Sequence, residues 1–173
     1  MRYILCATLL LALAGKAHAD DPLGGLKSKV GGKAKEAANG AVVDKVNAKL
    51  LDEGRKNQCS FKSDSDVLEP GCDAKAKKLA NVLIDIKKQL ASSGTTGYHF
   101  VVSGHTDSSG KEDHNLALSK KRAAVMVKEL VARGVPERDI IAVGMGSKRM
   151  LVKPDNTPAK KATNRRYEIQ VEL

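Results

Sequence analysis

Between Leu79 and Leu173 the apolar residues switch repeatedly between helical and extended spacing, and that alternation restricts the possible folds of this 173-residue chain more than any other feature. Leu79, Val82, Leu83, Ile86 and Leu90 recur at intervals of three and four, which predicts one apolar face of a helix. Asp73 is placed to cap it and Gly94 to end it. Tyr98 to Gly104 reads as a strand centred on Val101 and Val102. A second helix is predicted from Asn115 to Arg133, with Gly134 as its cap and Pro136 as its stop. Asp139 to Met145 reads as another strand. Gly144 and Gly146 then open a long loop running through Pro154 and Pro158. Tyr167, Ile169, Val171 and Leu173 alternate with Glu168, Gln170 and Glu172, which predicts a half-buried last strand. A short strand at Ser60 to Lys62, with Phe61 inward, completes the order β-α-β-α-β-loop-β. That order predicts helices covering one face of a mixed four-stranded sheet.

Composition limits what such a domain can do. Hydrophobic residues make up 42% of the chain but aromatic residues only 3%, and there is no Trp. The core must therefore be aliphatic, and a stacking platform for single-stranded nucleic acid is not expected.

The first 19 residues read as a secretory signal. Arg2 supplies the positive start, Ile4 to Gly15 the apolar stretch, and Ala17-His18-Ala19 the small-residue site for cleavage before Asp20. The apolar run is too short to span a bilayer, which takes about 20 residues. Leu13-Ala14-Gly15-Lys16 resembles a lipoprotein box, but Lys stands where the lipidated Cys would be and cannot form the thioether. Loss of residues 1–19 removes Arg2 and Lys16 and no acid, so the formal charge goes from +10 to +8. The expectation is an exported periplasmic protein with no integral membrane anchor, peripherally associated with the cell wall or outer membrane. Its basic surface either keeps it in solution or meets an envelope polyanion; nucleic acid is not an expected partner. Cys59 and Cys72 then remain, and an even pair in an oxidising compartment reads as a disulfide closing a short loop. A metal site would need further ligands nearby, and a catalytic Cys would need a base.

Residues 20–57 precede the main domain at 58–173. Pro22 and the Gly24-Gly25 and Gly31-Gly32 pairs predict a flexible leader up to Gly32. From Lys33 to Lys56 the spacing of Val42, Val43, Val46, Leu50 and Leu51 predicts a helix. That helix either packs on the domain after it or binds another envelope protein.

The chemistry concentrates around Gly104-His105-Thr106-Asp107 and the helix after it. Asp107 follows a strand, which holds a carboxylate rigidly. Arg122 lies about two turns into the helix. An Asp and an Arg facing one pocket suit a small zwitterion, the Asp on its ammonium and the Arg on its carboxylate. The free end of diaminopimelate in peptidoglycan is such a zwitterion. Asn115 at the predicted N-cap would close off the helix terminus, whose free N–H groups favour a ligand carboxylate.

VVSGHTDSSG at 101–110, NLALSKKRAAVMVKELVARGV at 115–135, VGMGSKRM at 143–150 and NTPAKKATNRRYEI at 156–169 stand in the order and spacing of a known domain. The chain from about Phe61 to Leu173 resembles the OmpA-like peptidoglycan-binding domain, also found in Pal and MotB proteins. The resemblance implies an α+β fold of order β-α-β-α-β-β, here preceded by an N-terminal helix. It implies non-catalytic, non-covalent binding of the diaminopimelate stem peptide by Asp107 and Arg122, with no cofactor and no metal. Asn115 would support the loop or the ligand, while Thr106, Leu118 and Arg165 would line the groove. Two departures stand out. Lys160-Lys161 occupies a loop position where Gly-Arg is frequent, and Glu112-Asp113-His114 precedes Asn115 where an aromatic is common.

Two other chemistries are weaker. Ser103, His105 and Asp107 alternate along a strand and do not converge as a catalytic triad does. His99, His105, Asp107 and His114 match no zinc spacing. The remaining alternative is an adaptor, in which the 33–56 helix binds an envelope protein and the domain tethers it to the wall.

Overall fold

The computed structural model describes residues 24–62 and 64–173, with side chains from Asn39 onward. The expected signal segment, its expected cleavage site and the start of the expected leader lie outside the described residues. Contacts divide the chain into residues 1–35 and 36–173. The elements are α1 (Gly24–Lys56), α2 (Cys72–Ser92), β1 (His99–Gly104), α3 (Glu112–Val131), a 3₁₀ turn (Glu137–Asp139), β2 (Ile140–Gly144), α4 (Pro158–Asn164) and β3 (Tyr167–Glu172).

The sheet has three strands in the order β2-β1-β3, not the four expected. β1 runs parallel to β2, with Val102 opposite Ala142, and antiparallel to β3, with Val102 opposite Ile169. Ser60 to Lys62 does not join the sheet. Phe61 instead pairs locally with Leu68 as an isolated bridge, because the disulfide from Cys59 to Cys72 folds this segment back on itself. The edge of β3 is served by side chains. Asn47 of α1 donates to Val171 O at 3.1 Å and accepts from Val171 N at 2.7 Å. The Gln58 amide, in the orientation that satisfies both its atoms, bonds Tyr167 N at 2.9 Å and Tyr167 O at 3.3 Å.

One aliphatic core lies on the helical face of the sheet. Leu79, Leu83, Ile86 and Leu90 of α2 and Met126 and Leu130 of α3 pack on Phe100, Val102, Ile169 and Val171. Val43, Val46 and Leu50 enter the same core, so most of the described apolar stripe of α1 is spent on packing. Alternate residues of β3 are buried, as the period-two pattern predicts.

Several boundaries differ from expectation. α1 begins at Gly24, ahead of Lys33, and includes Gly31 and Gly32; nothing in the described side chains accounts for this. Asp73 lies inside the first turn of α2 and the cap position is Gly71, whose φ of 89° suits glycine. Asn115 is likewise inside α3, which starts three residues earlier at Glu112. The long loop contains α4, where Thr157 accepts from Lys160 N at 3.3 Å and Pro158 fills the first turn.

Two glycines bring β1 and β2 against α3. A Cβ on Gly104 would lie 2.2 Å from Ser119 O, and one on Gly144 would lie 2.7 Å from Leu116 O. Backbone cannot yield there as a flexible side chain can. Gly104→Ala is therefore expected to destabilise the domain by about 1–3 kcal/mol or more. Gly40, with nothing within 4 Å of its Cβ position, lies mid-helix. Gly40→Ala is expected to stabilise by about 0.5–1 kcal/mol. Urea denaturation of both variants checks the contrast in sign.

Candidate functional site

The end of β1, the start of α3, the 60–69 segment and α4 enclose a cavity of about 600 Å³. Every residue that sequence pattern singled out as a ligand contact lines it: Thr106, Asp107, Asn115, Leu118, Arg122 and Arg165. Each is placed by a different local cause.

Asp107 sits where the chain leaves β1, and its backbone turn is fixed from two sides. Asn115, buried inside α3, donates to Ser109 O at 2.8 Å. It thus ties the loop down rather than capping the helix. Asp155, whose role the sequence pattern did not show, accepts from Ser108 N at 2.9 Å and from the Ser108 hydroxyl. Asn164 holds Asp155 at 3.1 Å and also accepts from Leu151 N and Val152 N. The Pro154-Asp155-Asn156 run carried the only sequence hint, a turn-forming composition.

The Asp107 carboxylate is not free. One oxygen accepts from Ser109 N at 2.9 Å and the other from Arg165 Nη1 at 2.8 Å. Burial raises its pKa, but the bonds from Arg165 and Ser109 outweigh burial and leave it below the ordinary value. The adjacent Arg166 serves the fold. It donates to Glu168, Asn164 O and Arg149 O.

Arg122 is held differently. Its Nε donates to Ser65 O at 2.9 Å and its Nη2 to Lys62 O at 3.3 Å. Its Cζ stands 5.2 Å from the centre of the Phe61 ring. Among the described residues no carboxylate forms an ion pair with it, although it is only 6% exposed. Burial, then repulsion from Arg165, weaken its hold on its proton. Thr106 adds a buried hydroxyl with no partner among the described residues. The cavity therefore presents a carboxylate whose guanidinium partner is 44% exposed, a second guanidinium that Asp64, Asp107 and Asp66 attract without an ion pair at contact distance, and a hydroxyl unsatisfied among the described residues.

The histidines do not assemble. His105 is buried with its Nε2 3.5 Å from Glu168, and His114 faces Asp64 at 2.7 Å.

The OmpA family model matches residues 60–165, which is more than half of the chain. The chain belongs to the OmpA family. The match takes in the 60–69 segment, β1, α3 and Arg165, so it contains every residue lining the cavity. Among curated relatives, the peptidoglycan-binding protein ArfA of Mycobacterium bovis is 43% identical over 70 residues, 40% of this chain and 21% of ArfA. Outer membrane porin F of Pseudomonas fluorescens is 37% identical over 113 residues, 65% of this chain and 31% of the porin. The chain thus spans about a fifth to a third of these relatives. Among solved structures, the peptidoglycan-associated lipoprotein of Burkholderia pseudomallei superposes with a TM-score of 0.54 at 26% identity, over 66% of this chain and 89% of that one. The C-terminal domain of Helicobacter pylori MotB shares the fold, with a TM-score of 0.55 at 20% identity over 67% of this chain and 84% of that one. No described helix is long and apolar enough to cross a membrane.

The loop network makes the site sensitive to acid. Hydrogen bonds from Ser108, then from Asn164, hold Asp155 at about 2, while His105 and Arg166 hold Glu168 at about 2. Both carboxyls titrate lower in the folded state, so their stabilisation is complete above the ordinary values of 3.8 and 4.5. It is lost as pH falls from there to about 2. Asp155→Asn is expected to flatten the stability-versus-pH curve across that window and leave its slope above pH 5 unchanged, as followed by urea midpoints at stepped pH.

Proposed function

We propose that this protein binds peptidoglycan non-covalently and without catalysis, through the free zwitterionic end of diaminopimelate in the stem peptide. The observation that carries this reading is the buried Arg122 guanidinium, which forms no ion pair among the described residues and shares a cavity with Asp107. An isolated buried charge is costly, and a ligand carboxylate would supply its partner. Asp107 offers the complementary acceptor. A ligand ammonium either displaces Arg165 or shares the carboxylate with it, since a carboxylate has about four acceptor positions. The names of ArfA and of the Burkholderia lipoprotein support the same ligand class.

The setting is the periplasm, reached through the signal at residues 1–19, with the domain contributing to envelope integrity. An adaptor role through residues 33–56 has less to work with, because Val43, Val46 and Leu50 are buried in the core. Leu51, 41% exposed, is the large apolar residue of that helix left for a partner.

Each lost charge-assisted contact is expected to cost about 1.5–3 kcal/mol. Asp107→Ala and Arg122→Ala should therefore each weaken co-sedimentation with purified sacculi, with circular dichroism confirming the fold. Folded variants that sediment as well as wild type would remove the clamp.

A further inference from the structure

The segment from Cys59 to Cys72 is a closed hairpin standing over Arg122. The disulfide joins its ends. Glu69 N donates to Ser60 O at 3.0 Å and Lys62 N to Val67 O at 2.9 Å, which zips its two arms. Ser65 N donates to Lys62 O at 3.2 Å and turns its tip. Its base is docked to the sheet, since Cys59 N donates to the Tyr167 hydroxyl at 3.3 Å and that hydroxyl donates to Asn57 O at 2.8 Å. Its tip meets α3 through Asp64 and His114. The tip carbonyls of Lys62 and Ser65 are the acceptors for Arg122, and Phe61 supplies the ring beside it.

A guanidinium on a long stem has no fixed direction of its own. Its use in recognition depends on what orients the planar fork. Here one edge of the fork, Nε and Nη2, is anchored to hairpin carbonyls. Nη1 makes no hydrogen bond among the described residues, and the side chain lines the cavity. Backbone carbonyls fix the fork without an ion pair, while Asp64 and Asp66 of the hairpin attract it only from beyond contact distance.

We propose that the disulfide-closed hairpin is a positioning element of the binding pocket: Phe61 and the Lys62 and Ser65 carbonyls aim Arg122 into the cavity and so set a preference for ligands with a free carboxylate. This rests on the diaminopimelate reading of the pocket. The hairpin selects the ionised ligand over the same ligand with that carboxylate amidated.

The test is a ratio. Dissociation constants of the full mature chain are measured for one disaccharide-tetrapeptide with a free diaminopimelate carboxylate and for its amidated counterpart. Wild type is expected to prefer the free acid by roughly tenfold or more, the scale of a hydrogen bond to a charged group. Cys59→Ala/Cys72→Ala should bring the ratio close to one while changing affinity for the amidated ligand by less than about threefold, since that ligand never engages the charge. The Arg122 Nε–H resonance should lose its separate shift in the same variant. Phe61→Leu, with the disulfide intact, should lower the ratio as well and carries the test if the double variant does not fold. An unchanged ratio in a folded variant overturns the proposal, as does an equal loss of affinity for both ligands. Wild type that binds neither ligand would instead overturn the diaminopimelate reading itself.

Discussion

Contact between the backbones of β1 and α3 governs the rest of the molecule. With no side chain at Gly104, the strand ends 2.2 Å, measured from a notional Cβ, from the carbonyl of Ser119. That approach places the loop after β1 directly beside the start of α3. Asn115 can then reach back to Ser109 O, and Ser119 Oγ can accept from Gly146 N at 2.9 Å. A wider spacing would strain both bonds and loosen one of the two sides that fix the turn at Asp107. Packing of aliphatic side chains sets the stability of the fold, but this contact sets the precision of its cavity.

The cavity uses its charges unevenly. Asp107 is ionised and paired, with Arg165 at 2.8 Å. Arg122 is buried, and its fork is held by backbone carbonyls and the Phe61 ring rather than by an ion pair. Dipoles orient a charge but do not cancel it, so Arg122 keeps a donor edge outside any ion pair among the described residues. An anionic group entering the cavity meets a donor array already in place, with little reorganisation to oppose it. The cost is carried by the domain core and by the disulfide-closed hairpin.

The legible parts of this chain were those written in periodicity. α2, α3, β1, β2 and β3 follow from apolar spacing, and their ends from Gly94, Gly134 and Pro136. Thr106, Asp107, Asn115, Leu118, Arg122 and Arg165 share one cavity, as motif order implied. What periodicity could not show were contacts between polar side chains and distant backbone. Asp155 and Asn164 lock the site loop, and Asn115 works from within a helix. α4 is seven residues long, too short to display a repeat, and only Thr157-Pro158 marks it. The expected strand at Ser60 to Lys62 failed for another reason. Its residues have strand character, but the crosslink next to them makes the local hairpin partner nearer than the sheet.

The absence of that strand leaves β3 as the sheet's border, and its outward amides at Val171 and Tyr167 are met by Asn47 and Gln58. Border strands with unmet amides recruit other chains and seed aggregation. Two carboxamides on and just past α1 do the work of a missing strand here. α1 thus both fills the core and covers part of the sheet's border. A shorter version of the protein beginning at Asn57 would keep every residue of the cavity, yet would lose Val43, Val46 and Leu50 from the core and Asn47 from that border.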